Sequence, residues 1–106
     1  MNNKELKQYR QLKIEIDEEI QRVSSMRSGK SKRAAAEVDK KLNRLYMQQM
    51  RIEKYISGVS DPLVRRIMVA RYIECRSWEG VARKLGGSNT AESVRKICER
   101  WIRNNP

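Results

Sequence analysis

The 106-residue chain has no histidine and no phenylalanine, two prolines, five glycines and two cysteines. Without histidine no nucleophile has an obvious partner base, and a chain this short cannot hold a large enzyme core, so no catalytic activity is expected. Cys75 and Cys98 do not form a C-x-x-C pair. A structural zinc normally takes four good ligands, and two thiolates with carboxylates do not supply them, so no metal site and no cofactor are expected and both cysteines read as thiols. No apolar run reaches the roughly 18 residues that a membrane-spanning helix needs. The opening MNNKELKQYR lacks the apolar centre of a signal peptide, so a cytoplasmic protein without a membrane partner is expected.

What is abundant is positive charge. Twenty-four Lys and Arg against thirteen Asp and Glu leave +11 and a pI near 10.1, a balance that points to a polyanionic partner. The excess is uneven: residues 1–27 carry about +1, and residues 28–60 and 61–106 about +5 each. Positive charge therefore collects on the second half of the N-terminal region and on the C-terminal region, where it can track a phosphate backbone.

Hydrophobic spacing predicts an all-α fold. From Asn3 to about Met26, Tyr9, Leu12, Ile16, Ile20, Val23 and Met26 recur at intervals of three and four with no Gly or Pro, which predicts a long helix. Asp17, Glu18 and Glu19 are consecutive and point different ways on a helix, so they read as a solvated polar face rather than an acid/base pair. Ser24 to Lys32 breaks the pattern and reads as a loop. Its Gly29-Lys30-Ser31 triplet resembles the end of a phosphate-binding loop, but serine stands where the upstream glycine belongs and no strand precedes it, so nucleotide binding is not expected. From Ala34 to Ser57 a second long helix is predicted, with Val38, Leu42, Leu45, Gln49, Ile52, Ile56 and Val59 forming a seam spaced alternately by four and three. The two helices are expected to fold back as an antiparallel hairpin over residues 1–60. A hairpin alone leaves apolar surface exposed, so it also offers a homodimerisation element.

Residues 61–106 read as a separate helix-turn-helix unit. Asp61-Pro62 starts a helix with a side-chain cap and a first-turn proline, and Leu63, Val64, Ile67, Met68, Val69, Ala70, Tyr72 and Ile73 make it apolar on most sides. Ser77 is placed to cap a short helix carrying Val81, Ala82 and Leu85, which Gly86-Gly87 ends. Asn89 with Glu92 then resembles a capping box, followed by Val94, Ile97, Cys98, Trp101 and Ile102 at helical spacing. Trp78, Trp101 and Cys98 fall at apolar positions and are assigned to the core.

Arg71-Tyr72-Ile73, Ser77-Trp78-Glu79, Val81-Ala82, Leu85-Gly86 and Val94-Arg95-Lys96-Ile97 together resemble the promoter-reading C-terminal domain (region 4) of bacterial sigma factors. They are closer still to small sigma-like phage regulators of the RinA and ArpU type. The resemblance spans about Asp61 to Trp101. It departs from the sigma pattern at Gly80, where a second acidic residue usually follows Glu79, and in a longer turn from Gly86 to Asn89.

This resemblance implies a three-helix domain that binds double-stranded DNA, in a phage or prophage regulator of late-gene transcription acting in a bacterial host. In a helix-turn-helix the second helix lies in the major groove, so Ser88, Asn89, Thr90, Glu92, Ser93, Arg95 and Lys96 are candidate base contacts. Arg95 and Lys96 lead that set, and Asn89 competes with a capping role. Arg83, Lys84, Arg100 and Arg103 are candidate phosphate contacts. Two alternatives remain at this point: a DNA-packaging protein similar to a small terminase subunit, and an adaptor that binds RNA polymerase.

Overall fold

The computed structural model describes residues 1–25 and 32–106. Among the described residues five α-helices run in the order α1 (Asn3–Ser25), α2 (Lys32–Ser57), α3 (Pro62–Met68), α4 (Trp78–Leu85) and α5 (Ala91–Asn104). Between α3 and α4 the chain makes a π-helical turn, Val69–Ile73. The described residues contain no strand, as the all-α expectation requires. The Gly29-Lys30-Ser31 triplet and Met26 lie outside the described residues.

α1 and α2 are antiparallel, because residues early in one meet residues late in the other. The Tyr9 hydroxyl donates to the Glu53 carboxylate, Glu5 lies 3.9 Å from Arg51 and Glu19 lies 3.1 Å from Lys41. The α2 seam faces α1. Val38, Leu45, Ile52, Ile56 and Val59 are buried, and Leu42 and Gln49 half-buried. Leu45, Ile52, Ile56 and Val59 share one buried cluster with Leu6, Tyr9, Leu12 and Ile16, and Leu42 packs against it.

Beyond Ile16 the expected α1 stripe fails. Ile20 and Val23 are 41% and 37% exposed, and the inward position belongs to Glu19, only 4% exposed. The solvated-face assignment therefore holds for Asp17 and Glu18 and not for Glu19. A carboxylate is stable there because it is paired: Arg22 donates to one oxygen and Lys41 approaches the other. The Arg22 hydrogen bond leads in holding the Glu19 carboxyl below its usual range, with Lys41 assisting against the opposing effect of burial.

α3 begins as the local signals predict. Asp61 accepts hydrogen bonds from the Leu63 and Val64 amides at 2.9 and 3.3 Å, and Pro62 occupies the first turn. Val64, Ile67, Met68, Ala70 and Tyr72 are buried, while Leu63 is 38% exposed. After Met68 the hydrogen bonds lengthen in register: the Glu74 amide bonds Val69 O at 2.9 Å, five residues back, and the Arg76 amide bonds Ala70 O at 3.0 Å. Cys75 follows with φ of 57°, an uncommon left-handed conformation for a residue with a Cβ.

One hydrophobic core runs without interruption from the α1–α2 seam into α3, α4 and α5, through Leu6, Ile56 and Val59 to Ile67, Val81, Val94 and Cys98. The Tyr72 hydroxyl secures the junction by donating to Asn3 Oδ1 at 2.8 Å, and Lys13 donates to Ile73 O at 3.5 Å. Burial, with Cys98 close by, pushes the Tyr72 phenol upward. The radius of gyration is 17.4 Å. A compact domain of this length would have about 13 Å, so the helical pair extends well beyond the rest.

Candidate functional site

Serine, glycine and threonine set the geometry of α4, the turn and α5. The Ser77 Oγ accepts from the Gly80 amide at 3.1 Å and caps α4. Because Gly80 has no side chain, it cannot reciprocate in a capping box. α4 ends where Gly86 and Gly87 take φ of 72° and 65°, which glycine adopts without steric cost. Ser88 is exposed in the turn.

The cap of α5 lies one residue later than the Asn89–Glu92 pattern suggested. Thr90 is the N-cap. Its Oγ1 accepts from the Ser93 amide at 3.1 Å, and the Ser93 Oγ accepts from the Thr90 amide at 2.9 Å, closing a reciprocal box. Asn89 instead donates from Nδ2 to Gly86 O at 2.8 Å and ties the turn shut. Of the candidate base contacts, Asn89, Thr90 and Ser93 are thus engaged in local structure.

α5 has two distinct sides. Val94 and Cys98 are fully buried, and Ile97, Trp101 and Ile102 pack against the core. Burial pushes the Cys98 thiol up to about 11, leaving it protonated at neutral pH. The outward side carries Glu92, Arg95, Lys96, Glu99, Arg100 and Arg103, all exposed. Lys96 pairs with Glu92 at 3.0 Å and Arg95 with Glu99 at 3.6 Å, both one turn apart. The Lys96 hydrogen bond holds the Glu92 carboxyl below its usual range.

Arg83 and Lys84 are exposed in the last turn of α4. Lys84 is held by Glu74 at 2.6 and 2.5 Å, and Arg76 reaches the same carboxylate at 2.7 Å. These two cations hold the Glu74 carboxyl low, Lys84 first. Nothing in the local sequence marks this link, because Lys84 and Glu74 lie in different elements. Both tryptophans sit half-buried against the core. The Arg71 guanidinium lies 4.6 Å above the Trp78 ring, and Trp101 meets Tyr55 edge-on at 6.4 Å.

The structure therefore brings Glu92, Arg95, Lys96 and Arg100 onto one exposed helix face, and sets Arg83 and Lys84 on the preceding helix. Among the described residues no group of three or more Cys, Asp or Glu is arranged to hold a metal ion. None of the described helices is long and apolar enough to cross a membrane. Comparison with protein-family models, curated proteins and solved structures returned no match.

Proposed function

We propose that the chain is a sequence-specific double-stranded-DNA-binding transcription regulator, in which a long N-terminal helical hairpin carries a sigma region 4-like helix-turn-helix made by α3, α4 and α5. The observation that carries this reading is the division of α5. Val94 and Cys98 anchor one side, while Arg95, Lys96, Arg100 and Arg103 project from the other, directly after a glycine turn. A helix so mounted suits insertion into the major groove, where arginine pairs bidentately with guanine. Glu92 and Glu99 do not block this. Exposed ion pairs of this kind are worth about 0–1 kcal/mol, so Arg95 and Lys96 exchange them readily for bases or phosphates. The resemblance at Arg71-Tyr72-Ile73, Ser77-Trp78-Glu79 and Val94-Arg95-Lys96-Ile97 supports a phage or prophage origin and a role at late genes.

Arg95→Ala combined with Lys96→Ala is expected to weaken binding to a selected target duplex by more than it weakens binding to random duplex, by about 1–3 kcal/mol per lost base contact. Equal losses on both duplexes would reduce the pair to phosphate contacts. Affinity should also fall steeply with salt through counterion release, and a flat salt dependence would remove nucleic acid as the partner.

Tyr46, Met47 and Met50 give α2 an apolar strip facing away from α1, with Met47 71% and Met50 62% exposed. That strip supports a homodimer through the N-terminal helices. Sedimentation distinguishes the arrangements: a monomer or dimer on a short promoter-proximal site fits a regulator, and rings fit a packaging protein. Binding to RNA polymerase without DNA would identify an adaptor.

A further inference from the structure

At the junction of α1 with the π turn, four cationic residues line a cleft of about 230 Å³. Lys7 and Arg10 come from α1, Arg71 from the π turn and Arg76 from the loop after it, and Leu6, Tyr72 and Cys75 complete the wall. Among the described residues no carboxylate lines it. Glu5 and Glu74 each adjoin a lining residue in sequence; Glu5 lies 3.9 Å from Arg51, and Glu74 directs its oxygens to Lys84 and to Arg76 Nε. Two of the cations are fixed in place. Arg71 donates to Arg76 O at 2.9 Å while stacked on Trp78, and Arg76 is oriented by Glu74. Lys7 and Arg10 lie three residues apart on α1, hence on one face, and both are exposed.

Like charges gathered from three segments repel one another, and the repulsion grows as water is displaced from between them. An anion placed among them reverses the sign of that interaction. Guanidinium forks match the oxygens of a phosphate, and a lysine adds a mobile point charge. The volume limits the ligand: pockets for drug-sized molecules run to about 300–1,000 Å³, and this cleft is smaller. We propose that it is an anion site that takes a single phosphate group. This site is separate from the outward face of α5 and does not depend on what that face binds.

Cys75 provides a reporter. It lines the cleft and is partly accessible, whereas Cys98 is fully buried. On the full-length chain, alkylation of Cys75 by anionic iodoacetate relative to neutral iodoacetamide reads the local potential. Replacing chloride with inorganic phosphate at constant ionic strength should slow Cys75 alkylation about threefold or more, beyond what general screening produces. Lys7→Ala with Arg10→Ala should lower the iodoacetate preference and abolish the phosphate protection. Lys40→Ala with Arg44→Ala, which removes two exposed cations that do not line the cleft, should leave both unchanged.

A short duplex replaces phosphate in a second arm. Protection by both duplex and phosphate assigns the group to a nucleic-acid backbone. Protection by phosphate alone, with the duplex bound through α5, assigns it to a free phosphate or phosphorylated small molecule. Absence of phosphate protection in the unmodified chain, or equal loss in the two double variants, overturns the site and leaves an ordinary basic surface. Loss of duplex binding on Arg95→Ala and Lys96→Ala is measured independently, so failure of one proposal does not count against the other.

Discussion

The α1–α2 pair and the α3–α5 region bury apolar side chains in different ways. Away from the junction, where Leu6 and Ile56 join the shared core, the pair is a single seam between two helices with solvent on both flanks. In α3–α5 the apolar residues converge from three helices and the π turn, so Ile67, Met68, Val81 and Val94 are completely enclosed. A seam can tolerate a break in its pattern by substituting another interaction, as Glu19 with Arg22 and Lys41 does where Ile20 and Val23 turn outward. An enclosed core has no equivalent tolerance, since an unpaired charge there would find no water and no counterion. Mutation should therefore act locally in the distal seam and globally in the enclosed core.

The largest effect is expected from Ile67→Ala, which removes a fully buried side chain where α3 meets the shared core. A loss of about 2–5 kcal/mol is expected, read by chemical denaturation. If α1 and α2 stay protected from hydrogen exchange while α3–α5 lose protection, the two regions unfold separately and the contrast is sharpened. Simultaneous loss would make the molecule one cooperative unit.

Leu45→Ala, in the seam, should cost toward the lower end of the same range of about 2–5 kcal/mol, because the flanking surface can relax. Hydrogen exchange should accelerate around residues 38–45 and remain unchanged in α5. Acceleration in α5 would show that the seam transmits strain and is not local.

Thr90→Ala removes the side-chain acceptor of the α5 cap, and a loss of about 1 kcal/mol is expected. Asn89→Ala should leave the helix start in place while loosening the turn, since Asn89 bonds Gly86 O. The reverse ranking by thermal melting would return the cap to Asn89.

The smallest effect is expected from Glu19→Gln, and pH identifies it. The carboxyl of Glu19 is held below its ordinary value of 4.5 in the folded chain. Its contribution is thus fully present above the unfolded value and is lost as pH falls through the lower folded value. Wild type should exceed the variant in stability at neutral pH, and the two should converge in acid. A constant difference across that window would mean that packing rather than ionisation explains the effect.

Signals that act over one turn of chain were readable in the sequence. Asp61-Pro62, Ser77 and Gly86-Gly87 mark helix ends because capping and left-handed glycine are properties of the segment itself. The seam from Val38 to Val59 was equally plain, since its spacing repeats over the whole helix. Features that need a distant partner were not. Glu19 looks solvated until Lys41 is brought across from α2. Asn89-x-x-Glu92 and Thr90-x-x-Ser93 are offset by one residue, and the two hydroxyls that close the second box decide between them. The cationic cleft joins residues more than sixty positions apart, so no local pattern announces Arg10 beside Arg71.

The π turn at Val69–Ile73 acts as a phase setting. Each residue of a regular helix advances the chain by about 100°, so removing one residue to restore α-helical bonding would rotate everything after it by roughly that angle. α4 and α5 would keep their own caps and sequence, but the outward, charged face of α5 would turn relative to α1 and α2. The five residues of this turn therefore carry an angular coordinate that no substitution on α5 itself could restore.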